Sequence, residues 1–198
     1  MSDFTPTRSV VLELKDERRA MQEGYVFLDE KCLLLAGEML RELERYSELQ
    51  RVFLKAWDTA IAALQRALAR HGLEGLQVYP PADLGAAGVR RVARSLMGVA
   101  LQHAEFVVDP VPIPPGVERS PEAEVCRRAF RQLLAHAAPL AAVAGNLTRL
   151  ELEYRRAVRR ARALQDVLLP ELDRTLYDIE TRLEELEQED AIWMRHGK

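Results

Sequence analysis

Aromatic residues are scarce in this chain of 198 residues, at 6%. A compact globular core of this size ordinarily draws on more of them. Cysteine is scarcer still. Cys32 and Cys126 stand alone and far apart, so neither a disulfide framework nor a CxxC metal or redox site is present. Proline is absent from Thr7 to His71, glycine appears there only as Gly24 and Gly37, and no glycine lies between Asn146 and Arg195. Long stretches therefore lack the residues that punctuate helices. No run approaches the roughly 18 apolar residues of a membrane span. The opening "MSDFTPTRSV" has no apolar leader core. An excess of one charge is missing too: 28 Lys and Arg against 31 Asp and Glu leave −3, which does not point to nucleic acid. The reading that follows is a reduced, cytosolic chain with both cysteines in a core or seam.

What is present is 48% hydrophobic and 30% charged, dominated by Ala, Leu, Glu and Arg, the composition of long helices and coiled coils. Residues 7–71 fit one heptad register. It puts Val11, Arg18, Tyr25, Cys32, Met39, Tyr46, Phe53 and Ala60 at a, and Leu14, Met21, Leu28, Leu35, Glu42, Leu49, Ala56 and Ala63 at d. Fourteen of these sixteen are apolar; Arg18 and Glu42 break the seam.

Residues 72–138 read as a middle insert. Seven of the ten prolines fall between Pro80 and Pro121. "VRRVARSLMGVALQHAEFVVD" (Val89–Asp109) is rich in β-branched residues and lacks a helical stripe, which predicts two short strands turning at Met97-Gly98. "DPVPIPPGVERSP" (Asp109–Pro121) predicts an extended connector. Ser120 with Pro121 and Glu122 is an N-terminal helix signal, and a short helix is expected to about His136.

Residues 139–194 carry a second seam: Leu140, Val143, Leu147, Leu150, Tyr154, Ala157, Ala161, Leu164, Leu168, Leu172, Leu176, Ile179, Leu183 and Leu186. Its steps alternate three and four except for three consecutive fours from Leu164 to Leu176. That stutter locally unwinds a left-handed supercoil. Pro170 lies inside it, where a proline kink adjusts the path of the helix without breaking it. The expected fold is mainly α: a long antiparallel two-helix coiled coil from the two end segments, with a small insert holding a β-hairpin and a short helix.

Signs of chemistry are few. No two of His71, His103, His136 and His196 have i, i+4 metal spacing, and "GLEGLQ" lacks the strand and lysine of a phosphate loop. Glu184, Glu185, Glu187, Glu189 and Asp190 read as a hydrated helix face, since paired catalytic carboxylates need a cleft. Asn146-Leu147-Thr148 matches a glycosylation acceptor, which means nothing in a cytosolic chain. No catalytic residue, cofactor or metal site is expected. Arg155, Arg156, Arg159, Arg160 and Arg162 are either a solvated face or a basic collar for acidic groups on a partner.

The chain resembles the D subunit of the V-type and archaeal-type rotary ATPases, the central rotor stalk family. At the start, Pro6, Thr7, Arg8, Leu14, Lys15, Gly24, Leu28 and Lys31 follow the family's proline-threonine-arginine opening and its leucine, lysine and glycine pattern. In the middle, "SLMGV" (Ser95–Val99) resembles its methionine-glycine-valine element. Near the end, Arg159, Arg160, Ala163, Leu164, Leu168, Leu169 and Pro170 match its arginine run and leucine-isoleucine-proline element. Arg162 replaces the usual asparagine, Gln165 the usual glutamate, the proline after Val99 is missing, and the tail "AIWMRHGK" is less basic.

The resemblance implies a non-catalytic shaft, cytoplasmic and peripheral to the membrane, that couples ATP turnover in a catalytic ring to ion translocation. Implied partners are the catalytic and regulatory ring subunits, the small F subunit of the central stalk and the component capping the membrane rotor. Arg159, Arg160, Arg162 and Pro170 would form the collar in the ring, and Met97, Gly98 and Val99 the contact at the stalk or base end. The competing readings are a stalk protein of a flagellar or type III secretion export ATPase, which would lack the hairpin insert, and a free coiled-coil scaffold.

Overall fold

The structure is a computed structural model that describes residues 6–79, 87–108 and 120–196. The proline-rich connector lies outside the described residues. The elements in chain order are α1 (Arg8–Gln77), β1 (Ala87–Leu96), β2 (Val99–Val108), α2 (Pro121–Ala163), a π-helical turn (Leu164–Leu168) and α3 (Leu169–His196). The long helices at both ends and the hairpin between them are those read from the heptads and the strand pattern. The chain packs as two compact units: Met1–Ala36 with Glu153–Lys198, and Gly37–Leu152.

In the unit Gly37–Leu152, α1 and α2 run antiparallel. Their shared core is small-grained: Ala60, Ala63, Ala67, Cys126, Ala129 and Leu133, with Phe53, Leu64 and Phe130 packed around it. On α1, Phe53, Ala60 and Ala63 are a and d positions and Ala67 continues the register, as a seam requires. α1 breaks at Gly72, whose φ of 67° and ψ of 175° are a glycine conformation. The helix of the heptads is interrupted there, and helical turns continue past His71 to Gln77. α2 begins as its signal predicts: the Ala123 N–H donates to Ser120 Oγ at 3.2 Å. His71 Nε2 meets the same hydroxyl at 2.7 Å, and Arg70 bonds Glu122 at 2.5 Å.

One boundary differs from expectation. No short helix ends at His136; α2 runs through Pro139 to Ala163. A proline inside a helix forfeits a backbone bond at about 3 kcal/mol. Here alanines on both sides favour helix, and Leu133 and Val143 are buried before and after it, so packing holds the segment helical.

In the other unit, α1 lies antiparallel to α3. Val11, Leu14, Leu172, Leu176 and Ile179 form the core, with Val10 and Met21 against it. Ion pairs flank this seam: Arg8–Glu187 at 2.8 Å, Lys15–Glu180 at 2.7 Å and Arg18–Asp173 at 2.5 Å. Arg18, a break in the heptad, is exposed and uses its charge beside the seam. Such exposed pairs contribute about 0–1 kcal/mol each and fix direction more than stability.

Candidate partner-binding surfaces

The hairpin is built around Met97-Gly98. Leu96 pairs with Val99, leaving a two-residue loop. Both loop residues have positive φ, 48° for Met97 and 85° for Gly98. This is the sense of turn whose twist matches that of the strands. Met97 tolerates a conformation glycine would take more easily. Gly98 is exposed, Met97 half-buried and Val99 buried.

Val99, Leu101 and Ala104 bury β2, while most of β1 is exposed. What fastens the hairpin is a polar network. Glu38 and Glu42 of α1 are each only 4% exposed. Glu38 accepts a bond from Arg94 of β1 and two from Arg41, at 2.7 and 3.0 Å. Burial alone would push the Glu38 carboxyl up; the Arg94 and Arg41 bonds and charges outweigh it and hold it below the ordinary range. Asn146 of α2, 2% exposed, donates to Glu42 at 3.1 Å and to the Gln102 carbonyl at 2.9 Å. It also accepts the Gln102 N–H at 2.7 Å. Arg149 donates to the Ala100 carbonyl at 2.8 Å and to Asn146 Oδ1 at 2.6 Å. Arg45 lies 2.9 Å from His103 Nδ1; a guanidinium only donates, so Nδ1 is the acceptor. Among the described residues no buried side-chain N or O lacks a partner.

The sequence reading missed this network. Glu42 counted as a break in the seam and is instead part of its polar floor. Asn146 matched an acceptor pattern, yet its amide is buried and fully engaged. The signal available was a carboxylate at a d position and an asparagine in an otherwise apolar stretch.

The second surface lies in the unit holding both chain ends. Arg159, Arg160 and Arg162 are exposed and make no ion pair within 4 Å among the described residues. Upstream, Lys31 bonds Glu153 at 2.6 Å in a half-buried pair. The Lys31 bond holds the Glu153 carboxyl down, and the charges of Lys31, Arg156 and Arg160 add to this. The arginines lead into the π turn, where the Leu169 N–H bonds the Leu164 carbonyl, one residue further back than in an α-helix.

This turn stands where the sequence predicts a proline kink. Pro170 has no N–H and its ring crowds the carbonyl four residues back. The wider turn before it takes up an extra residue. It also removes one predicted seam position: Leu168 is exposed. The buried seam passes from Ala161 and half-buried Leu164 to Leu172, Leu176 and Ile179. Leu186 is exposed as well. On α1 of this unit, Val26, Phe27, Leu33 and Leu34 leave an exposed apolar patch that the heptad reading did not single out.

Both thiols are free and buried, and burial raises both of their pKa values. Among the described residues no cluster of His, Cys, Asp and Glu is placed to hold a metal ion, and no helix is long and apolar enough to cross a membrane. A groove of about 340 Å³ between α1 and α2 is lined by Arg51, Lys55, Gln132 and His136 over Ala56 and Ala129, and contains no carboxylate or thiol.

Residues 10–198 match the family of the ATP synthase D subunit. The chain is 26% identical over 194 residues to the V-type ATP synthase D subunit of Thermotoga neapolitana, covering 98% of this chain and 96% of that one. It is 28% identical over 209 residues to the V-type ATP synthase D subunit of Thermus thermophilus, with 100% and 89% covered. It is 26% identical over 201 residues to the A-type ATP synthase D subunit of Methanopyrus kandleri, with 100% and 87% covered. A match over residues 10–198, a range that takes in both helical units and the hairpin, shows that the chain belongs to the family of ATP synthase D subunits.

Proposed function

We propose that this chain is the central rotor shaft of a V/A-type rotary ATPase and couples ATP hydrolysis or synthesis in a catalytic ring to ion translocation through a membrane rotor. The observation that carries this is the family match over residues 10–198, nearly the whole chain. In this reading the chain does no chemistry. An asymmetric shaft in a pseudo-threefold ring contacts each site differently, so its orientation biases their nucleotide states and rotation permutes them.

The paired helices supply stiffness. Arg159, Arg160 and Arg162, exposed and without ion pairs among the described residues, serve as a collar that meets acidic groups of the catalytic and regulatory ring subunits. The π turn and Pro170 shape the shaft beside that collar. Met97 and Gly98 present the hairpin tip, anchored by buried Val99, to the small F subunit of the stalk or to the component capping the membrane rotor. The Val26–Leu34 patch offers an apolar face to a further helix of the complex. The hairpin also separates this reading from an export-ATPase stalk, and the family match separates it from a free scaffold.

The test is reconstitution. Ring subunits of the same source should retain the chain and lose coupling when residues 89–107 are deleted, while the helices remain folded by circular dichroism. Micromolar ATP binding to the isolated chain, or a ring that neither retains it nor responds to it, would overturn the reading.

A further inference from the structure

The two edges of the hairpin are treated differently. Leu96 and Val99 close a two-residue turn and so exchange backbone bonds with each other; the next pair does not, and the pattern alternates. The backbone groups of Ala100 and Gln102 therefore point away from β1. They are the groups that Arg149 and Asn146 bond from α2. The matching set on β1 is Ser95, Ala93, Arg91 and Val89. All four are exposed, and their outward N–H and C=O groups have no partner among the described residues. Near the turn, one edge is taken up inside the protein. The other, ten residues long and without proline, meets no partner among the described residues.

We propose that the outer edge of β1 is the docking site for an extended, acidic segment of a partner protein, which joins the hairpin as a third strand. A row of alternating donors and acceptors selects a strand, because a helix has no free backbone groups to offer it. Charge selects the partner. β1 carries Arg90, Arg91 and Arg94 and no carboxylate. Arg90 is committed to Glu105 and Arg94 to Glu38. Arg91 is exposed and makes no ion pair among the described residues. It shares a face with exposed Val89 and Ala93, so the incoming strand places an acidic side chain opposite Arg91 between small or apolar ones. A second copy of the same edge would set arginines against arginines, which is unfavourable. The proposal rests on the stalk reading only for the identity of the assembly that supplies the strand.

The experiment is residue-resolved amide exchange on the full chain, alone and assembled with the ATPase subunits of its own source. On assembly the amides of Val89, Arg91, Ala93 and Ser95 should slow at least about tenfold, whereas those of Arg90, Val92 and Arg94, already in the ladder, should change little. Ala93→Pro removes an outward N–H without touching a hairpin bond, and Arg91→Glu reverses the free charge; each should abolish the new protection. In a second arm that needs no assembly, a ten-residue peptide alternating glutamate and valine is titrated onto the isolated chain and should slow the same four amides, while its lysine-for-glutamate counterpart should not. The proposal is overturned by an assembled complex in which the four amides exchange as fast as in isolation, or in which Arg91→Glu keeps them protected. Equal effects, or no effect, from the two peptides also overturn it, as does protection of the isolated chain that rises with its own concentration, which assigns the edge to a second copy. Failure to assemble with the ring, with the peptide effect intact, counts against the stalk reading alone.

Discussion

Asn146 bonds both backbone groups of Gln102: its Oδ1 accepts the N–H at 2.7 Å and its Nδ2 donates to the carbonyl at 2.9 Å. The same side chain donates to buried Glu42. Asn146→Leu leaves an amide, a carbonyl and a carboxylate short of partners in one buried place. Each unsatisfied group costs about 1–3 kcal/mol, so a total of about 3 kcal/mol or more is expected. Asn146→Asp should be no better, since it sets a carboxylate against Glu42. Denaturant melts give the size of the loss. Amide exchange should show the hairpin loosening before the helices do.

Acid should undo the same region. The folded pKa of Glu38 is depressed, so its contribution is present above the ordinary value of about 4.5 and is lost as pH falls through the lower folded value. Glu153, held down by Lys31, acts in the same sense in the other unit. A pH series followed by amide exchange should show β1 and β2 deprotected below about pH 4.5, with Glu38→Gln deprotected already at neutral pH. A hairpin equally protected at pH 3 and pH 7 would contradict this.

Two glycine-to-alanine changes should have opposite signs. Gly37 is helical and a Cβ there meets nothing within 4 Å, so Gly37→Ala should stabilise by up to about 1 kcal/mol. Gly72 has equally open surroundings but a φ of 67°, so Gly72→Ala should cost about 1–3 kcal/mol through backbone strain alone. Thermal unfolding of the two variants side by side decides the matter.

The π turn predicts a tolerated deletion. Leu164 and Leu172 are eight residues apart, one more than a heptad. Removing exposed Val167 together with Pro170→Ala should give an unbroken α-helix and restore a spacing of seven. That variant should melt within a few degrees of the parent. Removing exposed Tyr177 instead turns Ile179 out of the seam and should cost about 3 kcal/mol or more. Comparable melting of the two deletions would show that the extra residue is not housed at Leu164–Leu168.

The arginine collar is tested by replacing Arg159, Arg160 and Arg162 with glutamine. The isolated chain should melt within about 1 kcal/mol of the parent, because the three are exposed and make no ion pair among the described residues. Retention in the ring should fall, and the variant should lose most of the salt dependence shown by the parent, since screening acts on charges that are no longer there. A variant that drives the ring as the parent does at every ionic strength would return these arginines to a merely solvated face.

The seams were legible because their information is local and periodic: burial follows the a and d positions of α1 with Arg18 as the exposed exception. The turn at Met97-Gly98 was legible from strand composition and one glycine. Glu42 was not, because a buried carboxylate depends on Asn146, which lies more than a hundred residues away. The run through Pro139 was hidden for a related reason: local propensity argued for a stop, and the packing of Leu133 and Val143 prevailed. The stutter at Leu164–Leu176 was visible as a change of step. Spacing alone could not show that the helix would widen to a π turn there, nor that Leu168 would leave the seam.

The alanines of the Gly37–Leu152 unit carry a further consequence. Ala60, Ala63, Ala67 and Ala129 put small side chains between the two helices, which permits a closer approach than larger ones would. A seam of leucines would bury more area and hold more firmly, but it would be wider. Girth here is therefore written in the sequence as length is, through the size of four side chains. A partner that closed around this segment would meet a width set in part by those four methyl groups.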